Sequence, residues 1–200
     1  MSDQGVDAGK RRLLTWATTA VGSIGAAFWA VPFISSWQPS ARAKALGAPV
    51  EADISKLKDG EMQIQAWRGR PVWIIKRTQQ MLDDLKKVKP DDLRDPDSSE
   101  QQQPDYARNA TRSLNNKPEI LVLVGACTHL GCSPKFRPDH PATDLPANWE
   151  GGFFCPCHGS RFDLAGRVYK GVPAPSNLAV PKYRFADDNT IVIGEDPKQA

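Results

Sequence analysis

Charge disappears from the chain between Arg12 and Arg42, a gap of 29 positions. Inside it, Leu13 to Ser35 is built mostly from Leu, Ala, Val, Ile, Phe, Trp, Gly and Thr. At about 1.5 Å per residue these 23 positions cross roughly 30 Å of hydrocarbon, so the pattern predicts one transmembrane helix over 13–35. No polar face interrupts the run, unlike a helix at the surface of a soluble core. Trp16, Trp29 and Trp37 stand where indoles would meet the membrane interfaces. Lys10-Arg11-Arg12 predicts that residues 1–12 form a cytoplasmic tail and that the bulk of the chain lies on the other side. A cleaved leader would have a shorter apolar stretch, about 7–15 residues. Ala41-Arg42-Ala43 nevertheless has the small-residue look of a cleavage site.

From Ser36 to Pro49 the residues are small and polar without apolar periodicity, which reads as a linker. Met62-Gln63-Ile64-Gln65-Ala66 alternates with period two, predicting a half-buried strand. Arg68-Gly69-Arg70-Pro71 turns the chain and Val72-Trp73-Ile74-Ile75 returns as a second strand. Met81, Leu82, Leu85 and Val88 then recur at helical spacing behind a Thr78 cap. Asp91 to Asn116 is rich in Gln, Asp, Ser and Asn and reads as a long surface excursion. Ile120-Leu121-Val122-Leu123-Val124 predicts a buried strand. Tyr183-Arg184-Phe185 and Thr190-Ile191-Val192-Ile193 flank Asp187-Asp188-Asn189, a hairpin signal. The part after the anchor is therefore mainly β with one short helix.

Composition adds two constraints. The formal net charge of +3, with acids and bases interspersed, lacks the gathered Lys and Arg of a nucleic-acid footprint. The four cysteines, Cys127, Cys132, Cys155 and Cys157, all fall in one stretch, and two of the three histidines, His129 and His158, lie among them. A secreted disulfide scaffold spreads its cysteines and does not interleave histidines. Sulfur and imidazole this closely packed point to a transition metal. The remaining histidine, in Pro138-Asp139-His140-Pro141, has no ligand spacing and is expected simply to be solvated.

The motifs read Cys127-Thr128-His129-Leu130-Gly131-Cys132 and Cys155-Pro156-Cys157-His158-Gly159-Ser160. Each half supplies C-x-H or C-x-x-H and one extra cysteine. A zinc site of two Cys and two His is the simplest alternative, but zinc accounts for neither the spacing nor the extra pair. The pattern resembles the Rieske family. That resemblance implies a [2Fe–2S] cluster, one per chain, with Cys127 and Cys155 on one iron and His129 and His158 on the other. Two ferric ions, two sulfides and two thiolates sum to zero, whereas four thiolates leave two negative charges. The neutral cluster takes an electron more readily, so Rieske potentials run from about −150 to +300 mV against about −400 mV for plant-type ferredoxins. Oxidation also places positive charge beside His158 and loosens its proton. The midpoint is therefore expected to fall with rising pH in the alkaline range. The spare Cys132 and Cys157 sit at corresponding places in the two loops. A disulfide between them would enclose 24 residues, a constraint of about 3–4 kcal/mol on chain-entropy grounds. It also suits an oxidising compartment.

Gly171-Val172-Pro173-Ala174-Pro175 follows the second motif. With the anchor, the linker and the extra cysteines it makes the whole chain resemble the bacterial Rieske subunit of the cytochrome bc1 complex. The resemblance implies an antiparallel β-sandwich over residues 50–200 with an inserted cluster-binding subdomain at about 121–177. It implies a hinge within 36–49, centred on Ala43 to Ala48. Quinol, cytochrome b and cytochrome c1 are the implied partners, within a dimeric, proton-translocating complex outside which the chain is catalytically inert. By the same resemblance His158 accepts a hydrogen bond from quinol, and Leu130 and Gly131 line the docking surface. Pro173, Ala174 and Pro175 cover the cluster, and Ser160 donates to a bridging sulfide. One position departs from the family: many relatives have tyrosine, donating to a cysteine sulfur, where this chain has Phe162. A lower potential is expected. The implied place is the bacterial inner membrane, single-pass, with the domain in the periplasm. Arg11-Arg12 ahead of a weakly apolar run resembles a twin-arginine export signal. The alternatives are a Rieske ferredoxin or oxygenase component, or the Rieske subunit of another exported oxidoreductase such as an arsenite oxidase.

Overall fold

The structure is a computed structural model that describes residue 5 and residues 7–197. It divides into two units, residues 1–45 and 46–200.

The first unit is dominated by helix α1, Ala8–Ser36. It begins five residues before the apolar run because the Asp7 carboxylate accepts from the backbone N–H groups of Gly9 and Lys10, a side-chain cap that hydropathy does not register. None of its side chains is buried against protein: Leu13, Trp16 and Phe28 are 69, 74 and 81 % exposed. An unbroken apolar cylinder of this kind is stable where lipid supplies the contacts. Thr15, Thr18 and Thr19 return their hydroxyls to carbonyls four residues back, which removes their polar cost.

The linker is not wholly irregular. Ala41–Gly47 forms a seven-residue helix, α2, with the Ser40 hydroxyl accepting from the Ala43 N–H. All its residues are exposed, so no apolar stripe marks it. Alanine's propensity and the serine cap are enough to form it.

Among the described residues nine strands follow: β1 Val50–Asp53, β2 Met62–Trp67, β3 Arg70–Lys76, β4 Ile120–Val124, β5 Lys135–Arg137, β6 Gly152–Phe154, β7 Arg161–Asp163, β8 Tyr183–Phe185 and β9 Thr190–Ile193. They make three antiparallel sheets ordered β1-β9-β8, β2-β3-β4 and β5-β6-β7. The first two bury one core, in which Ala52, Tyr183, Ile191 and Ile193 meet Val72 to Ile75 and Ile120 to Leu123. The third is inserted between β4 and β8, with Phe153 stacked on Trp73 at 5.3 Å between ring centroids. Helix α3, Gln79–Lys87, is capped by the Thr78 hydroxyl and buries Met81 and Leu85, as its spacing predicts. β4 is buried at all five positions, and the hairpin around Asp187 joins β8 to β9.

Two expectations need correction. β2 is the outer strand of its sheet, and its apolar set points largely outward, with Ile64 58 % exposed. The continuous apolar runs of β3 and β4 already fill the core. Residues 91–116 are not a surface excursion: Leu93, Asp95, Ser98, Ala107, Arg112 and Ser113 are buried. The Arg112 guanidinium, fully enclosed, donates to the carbonyls of Ala165 and Gly166 and to the Gln103 side chain. Burial pushes it down to about 10. Polar composition conceals this segment because most of its buried polar groups find partners inside the fold, Arg112 Nε being an exception.

Candidate metal centre

Strand β4 runs into the first motif, and the second motif links β6 to β7. The two loops share one hydrogen-bond frame. In the first, Gly131 N donates to Cys127 O at 2.8 Å and Cys127 N to Cys132 O at 2.7 Å. In the second, Gly159 N donates to Cys155 O at 2.9 Å and Cys155 N to Ser160 O at 2.8 Å. Gly131 and Gly159 both take positive φ, +82° and +74°, where a side chain would be strained. This frame pairs Cys127 with Cys155, but Cys132 with Ser160 and His129 with Cys157. The spare cysteines are thus not at corresponding places. They nonetheless form a disulfide across the loops, with Cα atoms 6.7 Å apart.

Cys127 and Cys155 are the free cysteines, 3 and 2 % exposed. Burial pushes the Cys127 thiol up, and the neighbouring Cys155 sulfur adds to this. The His129 backbone N–H and the Ser160 hydroxyl act in the opposite sense on the same sulfur. Cys155 Sγ also lies within 4.8 Å of both disulfide sulfurs. Those have no thiolate to offer, so the candidate sulfur ligands are Cys127 and Cys155. Outside them, the His129 and His158 rings stand 4.8 Å apart between centroids and nearly perpendicular, with His158 open to solvent. Two neighbouring buried thiols, donors that act on one of them and two adjacent imidazoles fit a [2Fe–2S] cluster with mixed ligands.

The proline loop is bonded to both motifs. Ala174 N donates to Ser160 Oγ at 3.1 Å, and Thr128 Oγ1 donates to Ser176 O at 2.7 Å. Ala174 is buried while Pro173 and Pro175 face out. Thr128 was passed over in the sequence, although its place between two candidate ligands was a signal. Asn177 was missed as well: it accepts from Val168 N and donates to Asp95 O and Ser98 Oγ, joining this loop to the buried 91–116 segment. Leu130 is 72 % exposed and Gly131 is open beside it. His140 is apart from these groups and is not simply solvated. Its Nδ1 lies 2.6 Å from Trp149 O and its Nε2 lies 3.2 Å from Glu150 Oε2.

Comparison with known proteins agrees with this geometry. Residues 50–184 match the Rieske [2Fe-2S] domain, and residues 1–40 match the ubiquitinol-cytochrome C reductase Fe-S subunit TAT signal. The chain is 57 % identical to the ubiquinol-cytochrome c reductase iron-sulfur subunit of Allochromatium vinosum, over 98 % of this chain and 93 % of that one. The subunit of the same name from Rhodospirillum rubrum is 42 % identical, over 96 % of each chain. The mitochondrial Rieske subunit of the cytochrome b-c1 complex from Chlorocebus aethiops is 38 % identical, over 92 % of this chain and 60 % of that one. With helix α1, the signal match makes this a membrane-anchored, exported protein, and its cofactor is a [2Fe–2S] cluster. By sequence, fold and candidate ligands, the chain belongs to the Rieske [2Fe-2S] family, among the iron–sulfur subunits of ubiquinol–cytochrome c reductase.

Proposed function

We propose that this chain oxidises quinol and passes the electron to cytochrome c1, beside cytochrome b, in a dimeric, proton-translocating quinol–cytochrome c reductase. The observation that carries this reading is the polarity of the cluster tip. Cys127 and Cys155 are enclosed, whereas His158 and Leu130 are open at the surface. Cys127, His129, Cys155 and His158 would hold the cluster. When bound, it supplies a one-electron acceptor that is electrically neutral when oxidised. His158 takes the hydrogen bond of the quinol hydroxyl and then its proton. Leu130 and Gly131 offer an apolar, side-chain-poor contact for a docking partner. The loop of Pro173, Ala174 and Pro175, held by Ser160 and Thr128, limits water access. The Ser160 hydroxyl accepts from Ala174 and keeps its own proton for a sulfur.

The topology that suits this task has residues 1–12 in the cytoplasm and 13–35 across the inner membrane. Residues 36–49 act as hinge, and 50–200 form the periplasmic domain, with the cluster-binding subdomain at about 121–177. Twin-arginine export would let the cofactor be inserted before the chain crosses. Low-temperature paramagnetic resonance of membranes carrying the chain tests the reading. Ascorbate should generate the reduced-cluster signal, and added quinol should do the same in the assembled complex. A centre reducible only by dithionite would overturn it.

A further inference from the structure

The tip of the β2–β3 hairpin carries Trp67-Arg68-Gly69-Arg70, with Trp67 paired to Arg70. Arg68 and Gly69 have φ of +52° and +71°, the sign that a two-residue hairpin turn of type I′ requires at both positions. The Arg68 guanidinium carbon lies 4.4 Å from the indole centroid. The indole does more than close the hairpin. Its Nε1–H donates to the main-chain carbonyl of Ala48 at 3.1 Å, a residue 19 positions earlier. Ala48 follows the last residue of α2, Gly47, and comes two before Val50, where β1 begins to pair with Ile193.

A second contact reaches the same edge of the ring. Gly194, next after β9, has φ +104°. A Cβ built on it would stand 2.9 Å from Trp67 Nε1 and 3.1 Å from Cε2 and Cζ2. Only a glycine lets the backbone come so close. Trp67 therefore joins the end of β2, the residue after β9 and the last stretch before β1. An indole with a neighbouring N–H acceptor and a bare backbone beside it is built for more than filling volume.

A tethered domain that moves between partners needs a stretch that gives and a defined point where giving stops, because the free length sets how often the domain meets each partner. We propose that Trp67 is a positioning residue that clamps the domain end of the tether at Ala48, so that swivelling is confined to residues before it. This rests on reading 36–49 as a hinge. Without the clamp, the first tie of the tether to the domain would be the β1–β9 ladder at Val50.

The test is limited trypsin digestion of membranes carrying the assembled, cluster-loaded chain. Arg42 and Lys44 offer cleavage points in the tether, and Ala48 lies four residues after Lys44. A protease must draw out several residues on either side of the bond it cuts, so the clamp resists cleavage after Lys44. Trp67→Phe keeps an aromatic ring and loses the N–H. Cleavage after Lys44 should accelerate about two- to tenfold, the factor expected from one hydrogen bond. The paramagnetic-resonance signal and the midpoint potential should not move, and the melting temperature of the domain should fall by no more than a few degrees. Unchanged cleavage overturns the proposal, as does faster cleavage accompanied by new cuts within 50–200. If the unsubstituted tether resists trypsin as fully as the domain, the hinge reading falls and takes the clamp with it. A cleavable tether indifferent to Trp67→Phe sinks the clamp alone. Should that variant fail to accumulate, exchange of the Trp67 indole proton in the unsubstituted chain decides. Protection well beyond that of the exposed Trp37 is expected, and exchange at the free rate overturns the proposal.

Discussion

Phe162 is fully buried, pairs with Phe153 across β6 and β7, and shares the main core with Cys127 and Cys155. By the family resemblance a tyrosine here would donate to a cysteine sulfur, and a donor to sulfur stabilises the extra negative charge of the reduced cluster. Phe162→Tyr should therefore raise the midpoint potential, measured by voltammetry of the loaded protein, and an unchanged or lower value counts against the argument. Residue identity made this site readable, because C-x-H and C-x-x-H each put a sulfur and an imidazole within one short loop. The same letters misled over the spare cysteines. Their matching positions in print dissolve once Gly131 and Gly159 set the loop frame, which pairs Cys132 with Ser160. A main-chain hydrogen bond has no letter of its own.

Elements whose side chains announce their surroundings were legible: α3 from its spacing and cap, β4 from its unbroken apolar run, the β8–β9 hairpin from its turn residues. Residues 91–116 were not, since a buried guanidinium and an exposed one have the same composition. Arg112→Met should strip a donor from Ala165 O and from Gln103 Oε1, at about 1–3 kcal/mol each when left bare, while Gly166 O keeps its bond from the Leu178 N–H. A loss of roughly 3 kcal/mol in urea unfolding is expected, and a change under 1 kcal/mol would contradict this account of the Arg112 bonds. The loop after β5 has its own acid sensitivity. Hydrogen bonds from Arg137 hold the Asp139 and Asp144 carboxyls below the usual carboxylate range. Carboxyls depressed in the folded state stabilise above their unfolded value, near 4, and lose that contribution as pH falls through the folded value. The melting temperature should drop as pH is lowered below about 4, and Arg137→Ala should flatten the drop. An equally steep fall in both proteins would refute this clasp.

For the molecule as a whole, the inserted third sheet and both motifs are held to each other by one covalent link. Removing it with Cys132→Ala and Cys157→Ala should cost about 3–4 kcal/mol. The damage should appear first as loss of cluster absorbance on heating, since Cys155 Sγ lies beside the disulfide. A cluster that survives to the same temperature would show that the proline loop holds the motifs alone.

Sequence alone determined the apolar anchor, the kind of cofactor and the family, because each depends on residue type and short spacing along a helix or loop. Tertiary structure decided the rest: the enclosure of Arg112, the shared frame of the two loops, and the reach of Trp67 back to Ala48 and across to Gly194. These involve backbone groups brought together from distant parts of the chain. Main-chain amides and carbonyls are the same at every position, so only the folded path says which of them meet.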